Sequence, residues 1–353
     1  MHIDRKSALA GCLLGGALGD ALGLAWEGIA PRRQARMRGG GGLRFALWPG
    51  LGLVSDDTEH AALTAQALVL SEGDVGRFQR VLAARLRLWI AALPPGVGLA
   101  TGRALWKLWL GFPPGRNGVR SAGNGPAMRA AVIGVYFADD RERLLAYAEA
   151  SAHLTHTDPR AIAGAQVVAL CAMLATLHKA DVGSVTAAIE PTLAGDAPGM
   201  ADFRQLMAAA LKSAGHGETT AAFCAAQSWH KGVQGYIVHT VAASVHAWLR
   251  HPRDLATALS AIVDCGGDTD STAAIVGGLV GAWVGREGIP AKWLAGLRDW
   301  PWSAKRLNRL ASGLAEGRGQ GMSFPFWPLA LLRNLLMLLL VLCHGLRRLL
   351  PPY

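Results

Sequence analysis

The sequence predicts an all-α protein, and three observations carry that expectation. Alanine, leucine and glycine dominate the 353 residues, while runs of valine, isoleucine, threonine and aromatic residues are sparse. Apolar residues recur at helical spacing over long stretches, at 127 to 137, 144 to 153, 161 to 177 and 237 to 249. No segment alternates apolar and polar residues with the period of two that a half-buried strand requires.

Taken in chain order, Gly15-Gly16-Ala17-Leu18-Gly19-Asp20-Ala21-Leu22-Gly23 is glycine-rich but lacks the Gly-Lys-Ser/Thr of a phosphate-binding loop. It reads as a helix whose small residues permit close packing, ending near Trp26-Glu27-Gly28. Arg32, Arg33, Arg36, Arg38 and Arg44 surround a run of four glycines, which reads as a solvated mobile loop, with phosphate or nucleic-acid contact as the alternative. Ser55-Asp56-Asp57-Thr58-Glu59 stands just before a helical run at 61 to 70, where Ser, Thr and Asp serve as caps. Ser121-Ala122-Gly123-Asn124-Gly125-Pro126 opens another helix with proline in its first turn. A helix start of that kind suits a phosphate, and a turn with a cap explains it equally. His153 and His156 precede Asp158-Pro159, and no cysteine or third histidine completes a zinc site. His239 and His246 share a helical face and read as core or rim residues. Gly266-Gly267-Asp268-Thr269-Asp270-Ser271-Thr272 again stands directly before a helical run, at 273 to 284.

Residues 1–315 read as one helical domain, since no Ser/Pro-rich linker interrupts them. Residues 316–353 differ. A glycine-rich hinge from 313 to 321 leads to Phe324-Pro325-Phe326-Trp327-Pro328 and then to nine leucines between 329 and 342, interrupted only by Arg333 and Asn334 among polar residues. Aromatics at one end and Arg347-Arg348 at the other are the flanks of a membrane-associated segment. The expectation is a cytoplasmic protein held at the inner membrane through residues 324–350, the alternative being a C-terminal helix packed on the core or in an oligomer.

Composition narrows the function classes. Of the net charge of +10, +6 falls from Arg298 onward, so the core carries no dedicated nucleic-acid stripe. The twelve tryptophans lack the spacing of a stacking platform. Five cysteines (Cys12, Cys171, Cys224, Cys265 and Cys343) show no CxxC pairing and read as free thiols in a reducing compartment. Nothing resembles a cleavable leader, and the Ala, Gly, Leu and Arg bias hints at a GC-rich bacterial genome.

The two acidic clusters carry the chemistry. Each alone reads as a helix cap in a favourable dipole, but a cap needs one acceptor and each cluster offers two carboxylates plus hydroxyls. Gathering four carboxylates in one fold calls for compensating cations, and Mg²⁺ takes carboxylate oxygens readily. Two such ions about 3.5–4 Å apart can clamp the attacking and leaving oxygens of a displacement. Glu27 then becomes a candidate general base or a further carboxylate at the metals.

The ordered motifs resemble those of the ADP-ribosylglycohydrolases, the enzymes related to the dinitrogenase-reductase-activating glycohydrolase. They are Gly-Asp-Ala-Leu-Gly with Trp26-Glu27, Ser-Asp-Asp-Thr-Glu, Gly-Asn-Gly-Pro-Ala-Met-Arg, Thr155-His156 and Gly-Gly-Asp-Thr-Asp-Ser, with Ile289-Pro290-x-x-Trp293-Leu294 downstream. The resemblance implies a compact all-α fold with two Mg²⁺ ions (Mn²⁺ being an alternative) that hydrolyses the glycosidic bond between ADP-ribose and a modified protein or other macromolecule. By motif, Ser55, Asp56 and Asp57 would hold one metal and Asp268 and Ser271 the other, with Asp270 bridging. Asp56, Asp57 and Glu27 would be the catalytic group. Gly123, Asn124, Gly125 and Met128 would hold ADP-ribose, with Ser151, Thr155 and His156 beside its ribose and diphosphate. Arginine-directed relatives carry an acidic residue where this chain has Gly96, which argues against ADP-ribosyl-arginine as the substrate. Two other functions fit the same residues: a non-catalytic protein that binds ADP-ribose or an ADP-ribosylated partner, for example to neutralise a toxin, and a hydrolase of a small ADP-ribose derivative.

Overall fold

The computed structural model describes residues 4–318 and 323–351. The helices, in order, are α1 (Arg5–Gly23), α2 (Pro31–Arg38), α3 (Asp56–Leu70), α4 (Val75–Ala91), α5 (Leu99–Trp109), α6 (Ala131–Tyr136), α7 (Arg141–His153) and α8 (Pro159–Thr176). They continue with α9 (Val182–Leu193), α10 (Met200–Gly215), α11 (Thr220–Ala226), α12 (Ile237–Arg250), α13 (Leu255–Val263), α14 (Thr269–Val284), α15 (Ala291–Gly296), α16 (Ala304–Glu316) and α17 (Trp327–Arg347). Among the described residues no strand occurs, only isolated β-bridges. The fold is all-α, and one continuous core runs from Ala8 to Met337.

Side-chain caps start many of these helices. Asp4, Ser55, Asp74, Asp140, Asp158, Asp181, Thr219 and Asp254 each accept a hydrogen bond from a first-turn backbone N–H, a contact typically worth about 1 kcal/mol. Three expectations are corrected. The arginine cluster is a loop only in part: Pro31 starts α2, which carries Arg32, Arg33, Arg36 and Arg38 and closes at Gly39 in the left-handed region, with Arg38 paired to Asp264, while the rest of the glycine run and Arg44 are irregular. The run at 127 to 137 is broken, with a 3₁₀ turn at Ala127–Arg129 before α6. Gly313 is buried inside α16, which stops only at Gly317 with φ +62°; the rest of the expected hinge, residues 319–322, lies outside the described residues.

The central contact is α1 against α14. Gly11, Gly15, Gly19 and Gly23, spaced by four, face the backbone of α14 so closely that a Cβ at Gly19 would lie 1.9 Å from the Ala273 carbonyl oxygen. This contact sets Asp20, at the end of α1, beside the start of α14, and every residue of α14 from Thr269 to Ala282 is buried. The tail helix α17 lies along the domain: Asn334 and Met337 are buried against it, while most leucines on the other faces are exposed.

Candidate active site

The early acidic cluster is held by a residue from another helix. Asp20 is fully buried, and its carboxylate accepts from the Ser55 N–H at 2.9 Å, the Thr58 N–H at 3.2 Å and the Thr58 hydroxyl at 2.5 Å. It thereby ties α1 to the first turn of α3, where Ser55, Asp56 and Asp57 stand. Burial raises the Asp20 carboxyl to about 6, against the opposing effect of the Thr58 and Ser55 hydrogen bonds.

The late cluster is held by backbone. Gly267 accepts from the Gly28 N–H at 2.7 Å and donates to the Ile29 carbonyl at 3.0 Å, while Asp268 N–H donates to the Val233 carbonyl at 2.7 Å. The chain at Gly267 passes so close to Val233 that a Cβ would lie 2.2 Å from its oxygen, and φ there is +86°; only glycine accepts both conditions. The Gly266-Gly267 pair is therefore what carries Asp268 to Glu27.

The two clusters meet. The Ser271 hydroxyl donates to Asp57 Oδ2 at 3.2 Å across 214 residues of sequence, and the Ser55 hydroxyl donates to the same oxygen at 3.1 Å. A cleft of about 360 Å³ is lined by Glu27, Asp56, Asp268, Asp270 and Ser271 together with Gly123, Asn124, Gly125, Met128 and His156. Asn124 Nδ2 donates to Asp268 Oδ2 at 2.7 Å, joining the Gly-Asn-Gly loop to the late cluster. The His156 ring packs against the Gly-Asn-Gly loop, where a Cβ on Gly123 would come within 2.9 Å of its Nε2.

Ser151 and Thr155 are placed differently from His156. Both are buried behind the cleft wall, where the Arg129 guanidinium donates to the Ser151 hydroxyl at 3.0 Å and the Thr155 hydroxyl at 2.8 Å, and also to the Gly125 carbonyl at 3.0 Å. Arg129 itself is fully buried and ties the Gly-Asn-Gly loop to the end of α7.

The electrostatics of the cluster are one-sided. Burial, followed by the neighbouring carboxylates, pushes Asp56, Asp57 and Asp270 well above the ordinary aspartate value. Glu27 keeps a solvent-facing edge at the rim; desolvation by the cleft and then Asp268 raise it, while the Arg348 guanidinium acts in the opposite direction. His156 is lowered to about 3 by burial and by Arg129, so its ring is neutral at physiological pH.

These residues fit hard divalent cations. Asp57 Oδ1 and Asp270 Oδ1 are buried without a hydrogen-bond partner, and buried polar atoms are normally paired. The donors present are carboxylate and hydroxyl oxygens, the set that Mg²⁺ prefers. Among the described residues no three His, Cys, Asp or Glu side chains form a ready-made cage. Asp57 is instead occupied by the two serine hydroxyls.

The ADP-ribosylglycohydrolase family matches residues 1–322. The chain belongs to this family. An uncharacterised protein of Archaeoglobus fulgidus is 29% identical over 317 residues, covering 86% of this chain and 95% of its own. A solved ADP-ribosylglycohydrolase-related protein complex superposes with a TM-score of 0.65 at 28% identity, over 89% of this chain and 98% of that one. Family membership makes the chain a hydrolase of the ADP-ribosyl glycohydrolase class. The matched region stops short of α17.

Sequence reasoning missed Asp20 and Arg129 as site residues, although both stand inside motifs that it used. Asp20 carries a visible signal, a lone acid in an otherwise apolar helix. Arg129 carries none, because a basic residue after a helix start is unremarkable until it is found buried.

Proposed function

We propose that this protein hydrolyses the glycosidic bond linking ADP-ribose to a modified macromolecule, with two Mg²⁺ ions held by Ser55, Asp56, Asp57, Asp268, Asp270 and Ser271. The observation that carries this function is the contact between early and late clusters, where Ser271 donates to Asp57, together with the unpartnered buried carboxylate oxygens of Asp57 and Asp270. When bound, the metals would supply positive charge for the ribose hydroxyls and for the water that attacks.

The protein's own groups then have distinct tasks. Asn124 fixes Asp268 while the Gly-Asn-Gly loop lines the same cleft and would receive ADP-ribose. His156, neutral and pressed against that loop, contributes a hydrogen-bonding edge and no charge to a diphosphate. Glu27, raised above the usual carboxylate range at the rim, is suited to take a proton from water. The water oxygen bonds to the anomeric carbon, the bond to the acceptor breaks with its electron pair going to the acceptor atom, and that atom takes up the proton that Glu27 removed from the water. The anomeric carbon gains positive character on the way, which surrounding carboxylates favour.

Gly96, at the cleft edge, brings no acid to meet a guanidinium, which supports an acceptor other than arginine. The test is release of ADP-ribose from serine-, arginine-, glutamate- and nucleic-acid-linked substrates, with Mg²⁺ or with chelator. Asp270→Asn and chelation should each lower turnover by at least about 100-fold, the scale of losing one charge-stabilising group. Turnover unchanged by both would overturn the proposal, and protection of a modified partner without any turnover would mark a binding protein.

A further inference from the structure

We propose that α17 attaches this protein to an anionic bilayer by lying in the plane of the membrane, without crossing it. Three helices of the described chain are long and apolar enough to cross a membrane, and they differ in burial. The two within the domain are 94% and 72% buried, whereas the stretch in α17 is 11% buried.

The helix has two faces with opposite chemistry. On the inner face Arg333 donates to the Val54 carbonyl at 2.6 Å and pairs with Asp299 and Glu59, and Asn334 Nδ2 donates to the Ala92 carbonyl at 2.8 Å. Further along, the His344 ring meets the Ala25 carbonyl at 3.0 Å, and Arg348 donates to the Glu27 carbonyl at 2.7 Å. On the outer face Leu336, Leu339 and Leu342 are 59%, 59% and 57% exposed, with Leu332, Leu335 and Leu346 beside them. No charged residue lies between Arg333 and Arg347.

Both the inner face and the flanks identify the occupant. Crossing a bilayer would break the Arg333 and Asn334 bonds and carry a guanidinium into hydrocarbon, at ~2.5 kcal/mol or more. Protein interfaces of ordinary size mix hydrogen bonds with apolar area, and the leucines of this face offer no side-chain donor or acceptor. Exposed Trp327, an amphipathic aromatic of the kind that settles at a membrane interface, stands at its start beside the exposed, wholly apolar Phe326. At its other end Arg347 is exposed, and the Arg348 carbonyl accepts from Arg33 of α2, a helix that also exposes Arg32 and Arg36 and whose Arg38 is paired with Asp264. That end complements anionic headgroups, which attract juxtamembrane basic residues by ~1 kcal/mol each. An apolar face with a basic border is the design of a helix that lies on a membrane.

Flotation of the full chain tests this without any turnover assay. It should float with vesicles of phosphatidylcholine plus phosphatidylglycerol, several-fold less with phosphatidylcholine alone, and be released by alkaline carbonate. A dye on Cys343, exposed while Cys12, Cys171, Cys224 and Cys265 are buried, should shift to the blue on binding. The Leu335→Glu/Leu339→Glu/Leu342→Glu variant should lose at least tenfold of the bound fraction with unchanged circular dichroism. Carbonate-resistant retention would mean a spanning helix and overturn the proposal. So would failure to bind either vesicle, or a lipid-free dimer that the triple variant converts to monomer, which would assign the face to a second copy of the chain.

Discussion

Helices α1 and α17 are matched in length and apolar character, yet one lies at the centre of the molecule and the other along its edge. Both are long enough to cross a bilayer by composition. The difference is side-chain size. Glycines every four residues bring α1 into backbone contact with α14, whereas α17 has leucines at the corresponding spacing and can bury only one narrow face. Hydropathy therefore separates neither helix from the other; volume does. The two helices are alike in a second respect. Each carries one buried ion, Asp20 in α1 and Arg333 in α17, and both ions grip the segment from Val54 to Glu59 that bears the early acidic cluster.

The sharpest way to break the contrast is to give α1 the bulk of α17. Gly19→Leu places a Cβ 1.9 Å from a carbonyl oxygen; overpacking ordinarily costs 1–3 kcal/mol, and backbone against backbone cannot relax, so a loss of about 3 kcal/mol or more is expected. Chemical denaturation would read it, and a wild-type midpoint would show that the helices need not touch. Next in size is the ion of α17. Arg333→Ala strands two buried carboxylates, Glu59 and Asp299, at a cost of about 3 kcal/mol. Arg333→Lys should recover part of it, and equal melting of all three proteins would deny the grip.

A smaller effect separates the buried ion of α1 by pH. The folded carboxyl of Asp20 sits at about 6 against the ordinary 3.8. Its contribution to stability is therefore fully present below about 3.8 and lost as pH rises through about 6. Asp56, Asp57 and Asp270 shift in the same direction. Histidines titrate the other way, His156 from 6.5 down to about 3, so the clean readout is the increment in Tm on adding Mg²⁺. That increment should be larger at pH 7 than at pH 5, because ionised carboxylates bind cations. An equal increment at both values would place cation binding away from these aspartates. Least of all, Leu339→Ser on the outer face of α17 should change stability in solution by under about 0.5 kcal/mol, since that side chain is mostly exposed; a drop of several degrees in Tm would mean that the face is covered.

How much of this was readable in advance depends on the range of each contact. The helix start at Ser55 was legible because a cap is a local event, the start at Asp268 from the Gly pair before it although its side chain makes no capping bond, and the small-residue face of α1 from its spacing. The all-α class followed for the same reason. The Gly266-Gly267 pair was seen but not its partners, Ile29 and Val233, since such bridges join residues with no shared pattern. The arginines of α2 looked like a loop because their charge outweighed the Pro31 and Gly39 signals. Ser151 and Thr155 stood in a recognisable segment, but their neighbour Arg129, which turns them away from the cleft, acts only in three dimensions. The inner face of α17 was hidden for the opposite reason: leucines on every side leave no periodicity to read.

The stitching of Gly267 to Gly28 and Ile29 has a consequence for biosynthesis. A ribosome delivers Asp56 and Asp57 long before Asp268 and Asp270, so during most of translation the nascent chain holds only half of its acidic complement. Under the proposed two-metal function, cation capture by both clusters, and any hydrolysis that depends on it, would wait until α14 has emerged and docked on α1.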